Sequence, residues 1–210
     1  FSRVSPDGEQ GFPGNLTLTI TYTWNDANEL MIEYNAVSDA DTILNITNHS
    51  YFNIGCGGQA AGDVLGAQVQ IASAKYTPIN EKRLPTGEIC DVAGTAMDFR
   101  EFHDIGSRIG EDDANAQTVS GYDHNYILPG NPGEICYAAA VRDPESRRIV
   151  EVFTDMPGVQ LYTAKELVEQ GGKGGITYGN FGGLCFETQQ YPNGINEPKF
   201  PSPILKAGET

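Results

Sequence analysis

Near the N-terminus, apolar and polar residues alternate strictly through NLTLTITYTW, and this pattern constrains the fold more than any other feature of the sequence. Every second position from Leu16 to Trp24 is apolar or aromatic, and the positions between them are threonines. Successive side chains of a β-strand point to opposite faces, so the segment predicts a strand with one apolar face and one polar face. The apolar face needs a second sheet to cover it.

Strand-like segments recur along the rest of the chain. NDANE is typical of a turn, and LMIEYNAV is predicted to be the returning strand of a hairpin. Clusters of Pro and Gly separate the further strand candidates, which are AQVQIA, HNYIL, EICYAAAVRD, RRIVEVFT, GVQLYTA and GGLCFETQQ. Helical periodicity is weak throughout. Many short strands with regular turn signals predict an all-β fold, either a sandwich or a related antiparallel architecture.

The net charge excludes several classes of partner. The 210 residues carry a formal charge of −15, and the few Lys and Arg residues are scattered. We therefore predict no nucleic-acid partner and no anionic membrane surface, because both require clustered cations. The sequence contains no apolar run near the roughly 20 residues that span a bilayer. A neutral small molecule is left as the expected partner.

The spacing of the cysteines and histidines predicts neither a metal site nor a disulfide framework. The four cysteines are isolated and form no C-x-x-C pair, and the three histidines are spread over the chain. Such cysteines are typical of free thiols in a reducing compartment. The sequence thus predicts a cytoplasmic location and no metal.

The segment TILNITNHSYFNIG (42–55) is predicted to be a strand with an unusual polar face. Its apolar face carries Leu44, Ile46, Phe52 and Ile54, and its polar face carries Asn45, Thr47, His49, Tyr51 and Asn53. Amides, an imidazole and a phenol together donate, accept and stack, which suits a pocket for a polyhydroxylated ligand. On this segment alone, a buried histidine satisfied by its neighbours is an equally good interpretation.

The segment GGLCFETQQYP places one carboxylate between apolar neighbours. Leu184 and Phe186 share the predicted core face, and Glu187 lies on the opposite face. Partial desolvation would raise the pKa of this carboxyl above its reference value of about 4.3 and make it a better base near neutral pH. A solvated strand glutamate is the simpler alternative for this stretch.

Two further segments place polar side chains on predicted strands. Asp123 precedes His124 in GYDHNYIL, and because neighbouring strand residues face opposite ways, only one of them can line a given pocket. Gln160 in MPGVQLYTA lies on the face opposite to Val159 and Leu161.

Six segments in order resemble successive blocks of the aldose 1-epimerases, also called galactose mutarotases. They are FSRVSPDGEQGFPG, NITNHSYFNI, YTPINEKRLPTGEI, GYDHNYIL, MPGVQLYTA and CFETQQYPNGIN, and together they cover nearly all of the chain. The resemblance implies a large antiparallel β-sandwich of the galactose mutarotase-like supersandwich type, with little helix. It also implies that a monosaccharide, galactose or glucose, binds across a sheet face.

The resemblance also implies roles for individual residues. His49 matches the general acid of the family and Glu187 its general base, whereas Asp123 and Gln160 match positions that hydrogen-bond sugar hydroxyls. We also predict that Tyr51, which lies on the same predicted face as His49, binds the sugar. The implied reaction interconverts α and β anomers by acid–base ring opening and needs no metal or other cofactor.

The sequence lacks two upstream family blocks, GR-x-ANR and LHGG, which line the sugar site in family members. We therefore expect residues 1–210 to be a single β-sandwich domain without the N-terminal segment and last strand of the family. By itself the chain is expected to be oligomeric or aggregation-prone and to have little activity.

Two alternatives remain open for the function. A catalytically silent sugar-binding module of the same fold would bind galactose or glucose without speeding mutarotation. A hexose-6-phosphate 1-epimerase would need cations for the phosphate, and we expect the pocket segments to carry none.

Overall fold

The computed structural model describes residues 1–55, 62–109, 120–131, 133–168 and 171–210. Within these ranges the chain forms fourteen β-strands, a single-turn α-helix, α1 (Ile105–Arg108), and two short 3-10 helices, Glu9–Gly11 and Lys173–Gly175. In chain order the strands are β1 (Ser2–Ser5), β2 (Leu16–Trp24), β3 (Leu30–Ser38), β4 (Thr42–Ile43), β5 (Gln68–Ile71), β6 (Lys75–Thr77), β7 (Cys90–Asp91), β8 (His103–Asp104), β9 (Asp123–Ile127), β10 (Cys136–Arg142), β11 (Ile149–Thr154), β12 (Gly158–Tyr162), β13 (Cys185–Gln189) and β14 (Ile204–Leu205). The predicted all-β class with little helix is confirmed.

The chain divides into two compact units. The first comprises residues 1–46 and 194–210 and contains a three-stranded sheet in the order β1-β2-β3 and the pair β14-β4. The second comprises residues 47–193 and contains a four-stranded sheet, β11-β10-β5-β8, and a five-stranded sheet, β13-β12-β9-β6-β7. All of these strand pairings are antiparallel. The expectation of a single domain stays a prediction.

Both sheets of the 47–193 unit contribute to one hydrophobic core. Val69 of β5 and Val141 of β10 come from the four-stranded sheet, whereas Tyr126 of β9 and Leu161 of β12 come from the five-stranded sheet. Each of these four side chains is buried. Because the strands alternate, the residues between them on the five-stranded sheet point away from this core. That second face carries the polar residues that the sequence singles out.

The β2–β3 hairpin forms as the alternation predicts, but its apolar face is only partly covered. Tyr22 pairs with Ile32 and Trp24 with Leu30, so all four side chains share a face. Exposure rises toward the turn, reaching 66% at Trp24, whereas Ala36 near the base is 7% exposed.

The prediction of a strand over residues 42–55 is wrong for most of the segment. Only Thr42–Ile43 is a strand, residues 44–51 are irregular, and Phe52 makes an isolated antiparallel bridge to Leu184. Part of the reason is local, because the Asn48 side chain accepts a hydrogen bond from the Ser50 backbone N–H at 3.1 Å. Such Asx turns offer the backbone an alternative to a sheet.

Candidate active site

The polar face of the five-stranded sheet brings side chains from three adjacent strands into rows. Gln160 at the middle of β12 pairs with Glu187 of β13 on one side and with Asn125 of β9 on the other. Two residues further along β12, Tyr162 pairs with Cys185 of β13 and with Asp123 of β9. Directly opposed residues of antiparallel strands share a face, so the chemistry-bearing side chains are neighbours although they are far apart in sequence.

His49 reaches this face from the irregular segment 44–51. Its Nε2 atom lies 3.3 Å from Oε1 of Glu187, and its Nδ1 atom lies 3.4 Å from Sγ of Cys185. The imidazole is 47% exposed, whereas the Glu187 side chain is 9% exposed. The histidine therefore lies at the solvent side of the pair and the carboxylate lies beneath it.

Two tyrosines border the histidine. The Tyr51 ring is tilted against the imidazole with centroids 5.1 Å apart, and the Tyr162 ring meets the imidazole edge-on at 5.9 Å. The two phenol rings are themselves edge to face at 6.2 Å. Such rings present apolar faces and polar edges to a ligand, which suits the mixed C–H and O–H surface of a sugar.

Asp123 is held by a chain of amides. Gln160 donates a hydrogen bond from Nε2 to Oδ1 of Asp123 at 2.7 Å, and Gln189 donates from Nε2 to Oε1 of Gln160 at 3.3 Å. These contacts fix the carboxylate and both amides relative to the sheet. Each group keeps further acceptor or donor positions for a ligand.

Burial on this face makes the carboxyls better proton acceptors. Burial raises the pKa of Glu187; the His49 imidazole opposes this shift and the Asp123 carboxylate adds to it. Burial likewise raises the pKa of Asp123, against the hydrogen bond from Gln160 and the charges of Arg83 and His49. The predicted desolvation of Glu187 agrees with this direction.

Cys185 is a neutral thiol on this face. Burial, with the nearby charges of Glu187 and Asp123, raises the pKa of Cys185 to about 12. The sulfur is fully buried next to the imidazole, so the protonated thiol is available as a weak donor to Nδ1.

An ion pair lies near Asp123. Arg83 Nη2 is 2.7 Å from Oε1 of Glu166, and the Arg83 charge is close enough to lower the pKa of Asp123. A cation is therefore present near this face, contrary to the expectation that the pocket segments carry none. The expectation fails because Arg83 lies in a turn, where neither parity nor spacing predicts which way it points.

The structure brings all five predicted site residues onto one side of the 47–193 unit. His49, Tyr51, Asp123, Gln160 and Glu187 are linked by the contacts above, and His124 is fully buried beside Tyr76 on the opposite side. Their catalytic and binding roles stay predictions.

Sequence reasoning assigned no role in the site to Tyr162, Gln189 or Arg83. Tyr162 shares the parity of Gln160 in MPGVQLYTA, so the same alternation argument would have found it.

One cluster of potential metal ligands lies in the described part of the chain. One donor atom from each of His49, Cys185 and Glu187 can be chosen so that all three lie within 4.8 Å of one another.

Comparison with known proteins identifies the family. The family model described as aldose 1-epimerase matches residues 1–210. The chain belongs to the aldose 1-epimerase family.

Relatives named galactose mutarotase or aldose 1-epimerase are similar along the whole of this chain. The chain is 41% identical over 210 residues to galactose mutarotase of Homo sapiens and 36% identical over 211 residues to aldose 1-epimerase of Escherichia coli K12. It covers 59% of the human protein and 60% of the bacterial one. The matched part is the C-terminal portion of these relatives.

Solved structures of the family share the fold. A galactose 1-epimerase from Lactobacillus acidophilus superposes with a TM-score of 0.80 at 31% identity, covering 99% of this chain and 58% of that chain. An aldose epimerase homologue from C. elegans gives a TM-score of 0.86 at 25% identity, covering 100% of this chain and 61% of that chain. These matches confirm the galactose mutarotase-like antiparallel fold.

No helix among the described residues is long and apolar enough to cross a bilayer.

Proposed function

We propose that this chain contributes the acid–base pair of an aldose 1-epimerase that interconverts the α and β anomers of an aldohexose, galactose or glucose. The observation that carries the proposal is the contact between His49 Nε2 and Glu187 Oε1, 3.3 Å apart on a sheet face that also holds Asp123 and Gln160. The names of the human and bacterial relatives support this choice of reaction and of galactose as a substrate.

The reaction starts with opening of the sugar ring. The hydroxyl on C1 loses its proton to Glu187 while the ring oxygen takes a proton from His49, and the bond between C1 and the ring oxygen breaks. The anomeric carbon becomes an aldehyde. Both reacting oxygens are bonded to C1, so an acid and a base that lie next to each other match the substrate.

Ring closure uses the same groups in reverse. Rotation about the C1–C2 bond presents the other face of the aldehyde to the hydroxyl that was the ring oxygen. Glu187 returns its proton to the carbonyl oxygen, and His49 takes the proton of the attacking hydroxyl. Each proton transfer by a positioned side chain contributes about 10²–10⁴-fold to the rate.

The environment of Glu187 suits this role. Its carboxyl is buried, which raises the pKa and strengthens it as a base, yet the adjacent imidazole keeps the ionised form accessible. Asp123 and Gln160 supply oriented acceptors and donors for sugar hydroxyls beside the pair. Tyr51 and Tyr162 flank the place where the ring would lie.

The test is polarimetry with α-galactose and α-glucose. Because the chain spans 59% of the human relative, the assay uses the 210 residues alone and joined to the preceding part of that relative. We expect the joined protein to accelerate equilibration of the two anomers. The substitution Glu187→Gln in the joined protein should abolish this acceleration. Sugar binding without acceleration in the joined protein would instead identify a binding module.

We also infer a cytoplasmic location. The support is chemical, since Cys90, Cys136 and Cys185 are all free thiols among the described residues. Cys56 lies outside the described residues.

A further inference from the structure

The side chains around the His49 imidazole include a sulfur and a carboxylate that can bind a metal ion. Cys185 and Glu187 are two residues apart on β13, so sulfur and carboxylate point to the same side of the sheet. His49 approaches from residues 44–51 and contacts both of them, through Nδ1 and Nε2 respectively. One sulfur, one imidazole nitrogen and one carboxylate oxygen thus lie within 4.8 Å of one another.

This donor set matches one class of cation. Thiolate, imidazole and carboxylate are the three protein ligands of zinc, and zinc sites that keep an open position use three protein ligands with the fourth left to water or substrate. Calcium and magnesium prefer oxygen ligands and are excluded by the sulfur. The chemistry therefore selects a divalent cation of borderline softness.

The separation of the donor atoms agrees with a shared metal. Zinc bonds of about 2.3 Å to sulfur and about 2.0 Å to nitrogen in a tetrahedral arrangement place the two donors about 3.5 Å apart. Nδ1 of His49 and Sγ of Cys185 are 3.4 Å apart. Glu187 then completes the set by rotation of its side chain away from Nε2.

We propose that His49, Cys185 and Glu187 form a binding site for a zinc-like divalent cation. On binding, the thiol proton of Cys185 is released to solvent as the sulfur–metal bond forms, so the charge on the metal is partly neutralised. The metal then uses the Nδ1 lone pair of His49 and a carboxylate lone pair of Glu187. This site does not rest on the proposed function, because the three donors are together whether or not the chain turns over a sugar.

Sequence motifs do not reveal this site. His49 and Cys185 are separated by 136 residues, and the bridge between Phe52 and Leu184, together with the path of segment 44–51, brings them together. The expectation of no metal site rested on sequence spacing, which detects ligands that are close along the chain.

Cobalt(II) is the probe, because a cobalt–thiolate bond gives a near-ultraviolet charge-transfer band that directly reports sulfur ligation. We expect the band to appear on titration of the 210-residue chain with cobalt and to disappear when zinc is added. Magnesium at the same concentration should not displace it. Zinc should also raise the melting temperature, since a ligand that binds only the folded chain stabilises it.

Two sets of variants locate the sulfur. Cys185→Ser should abolish the band, whereas a matched variant with serine at Cys56, Cys90 and Cys136 should retain it. A band that survives Cys185→Ser, or no band at any cobalt concentration, overturns the proposal.

A second variant covers the case in which the buried Cys185→Ser change disrupts folding, which circular dichroism detects. His49→Ala changes a half-exposed side chain and should raise the cobalt dissociation constant at least about tenfold, since even outer-shell changes cost 10- to 100-fold. Unchanged cobalt affinity in His49→Ala also overturns the proposal. None of these readouts requires enzymatic activity, so they stand apart from the polarimetric test.

Discussion

At the scale of single residues, Glu187 combines a chemical role with a cost to stability. Its carboxyl is buried and its pKa is raised, so the folded chain holds the proton more tightly than the unfolded chain does. Above the unfolded pKa, the unfolded chain has released the proton, and stability falls as pH rises through the folded pKa. The ionised carboxylate that serves as the base is therefore the form that weakens the fold.

Glu187→Gln is expected to separate these effects. The amide keeps the shape but accepts no proton, so turnover of the joined protein should fall by at least about 10²-fold. The same variant should melt at a higher temperature than the parent chain at neutral pH, and this difference should vanish at a pH below the ordinary glutamate pKa. Scanning calorimetry at the two pH values measures it. An unchanged rate would remove Glu187 from the mechanism.

His49 gives a prediction of a different kind, because its imidazole is half exposed and contributes little packing. His49→Asn should lower the rate of the joined protein by at least about 10²-fold, because the ring oxygen loses its proton donor. Melting temperature should change little. If the rate measured by polarimetry is unchanged, His49 has no role in proton transfer.

At the scale of strands, alternation was sufficient to assign side chains to a face wherever the segment forms ladder hydrogen bonds with a neighbouring strand. Gln160 and Glu187 were assigned to the polar face of their strands from parity alone, and the register places them opposite each other. Alternation does not determine which residues of two neighbouring strands are paired. The contact of Gln160 with Asp123 could therefore not be predicted from the sequence. Alternation fails for segment 44–51, because its Asn48 side chain forms a local turn in place of the hydrogen bonds of a β-sheet.

Gly158 at the start of β12 provides a test of how closely this sheet packs. A Cβ atom there would overlap Oδ1 of Asn125 and lie 3.2 Å from the ring of Tyr191. All three residues are buried, so neither neighbour can swing into solvent. Gly158→Ala should therefore destabilise the chain by about 1–3 kcal/mol through overpacking.

The matched control for this change is Gly66→Ala. Gly66 is exposed, and nothing lies within 4 Å of a Cβ built there, so alanine should be neutral or slightly stabilising. Urea denaturation of the two variants gives the comparison. Equal midpoints would show that β12 tolerates a side chain at Gly158 and that the sheet relaxes around it.

At the scale of the whole molecule, two surface properties act against each other. The formal net charge of −15 repels copies of the chain from one another. The end of the β2–β3 hairpin exposes a contiguous apolar face, with Tyr22 46%, Trp24 66% and Leu30 54% exposed. Such a face favours association because covering it removes apolar surface from water.

The balance between these properties predicts that association rises with salt. The repulsion extends about 10 Å at 0.1 M ionic strength and about 3 Å at 1 M, whereas the apolar attraction is not screened. Sedimentation velocity of the 210-residue chain should therefore show larger species as salt is raised. A chain that sediments as a monomer at every salt and protein concentration would contradict this expectation.

Replacing Tyr22 and Trp24 together by threonine should suppress the association, because threonine removes the apolar surface yet keeps a strand-favouring residue at both positions. Met31→Thr is the control, since Met31 is 49% exposed on the same hairpin but pairs with Thr23 on the opposite face. If association follows the apolar face, only the double variant should sediment as a monomer at high salt. If both variants associate as the parent chain does, the contact lies elsewhere on the chain and the exposed apolar face of the hairpin does not drive association.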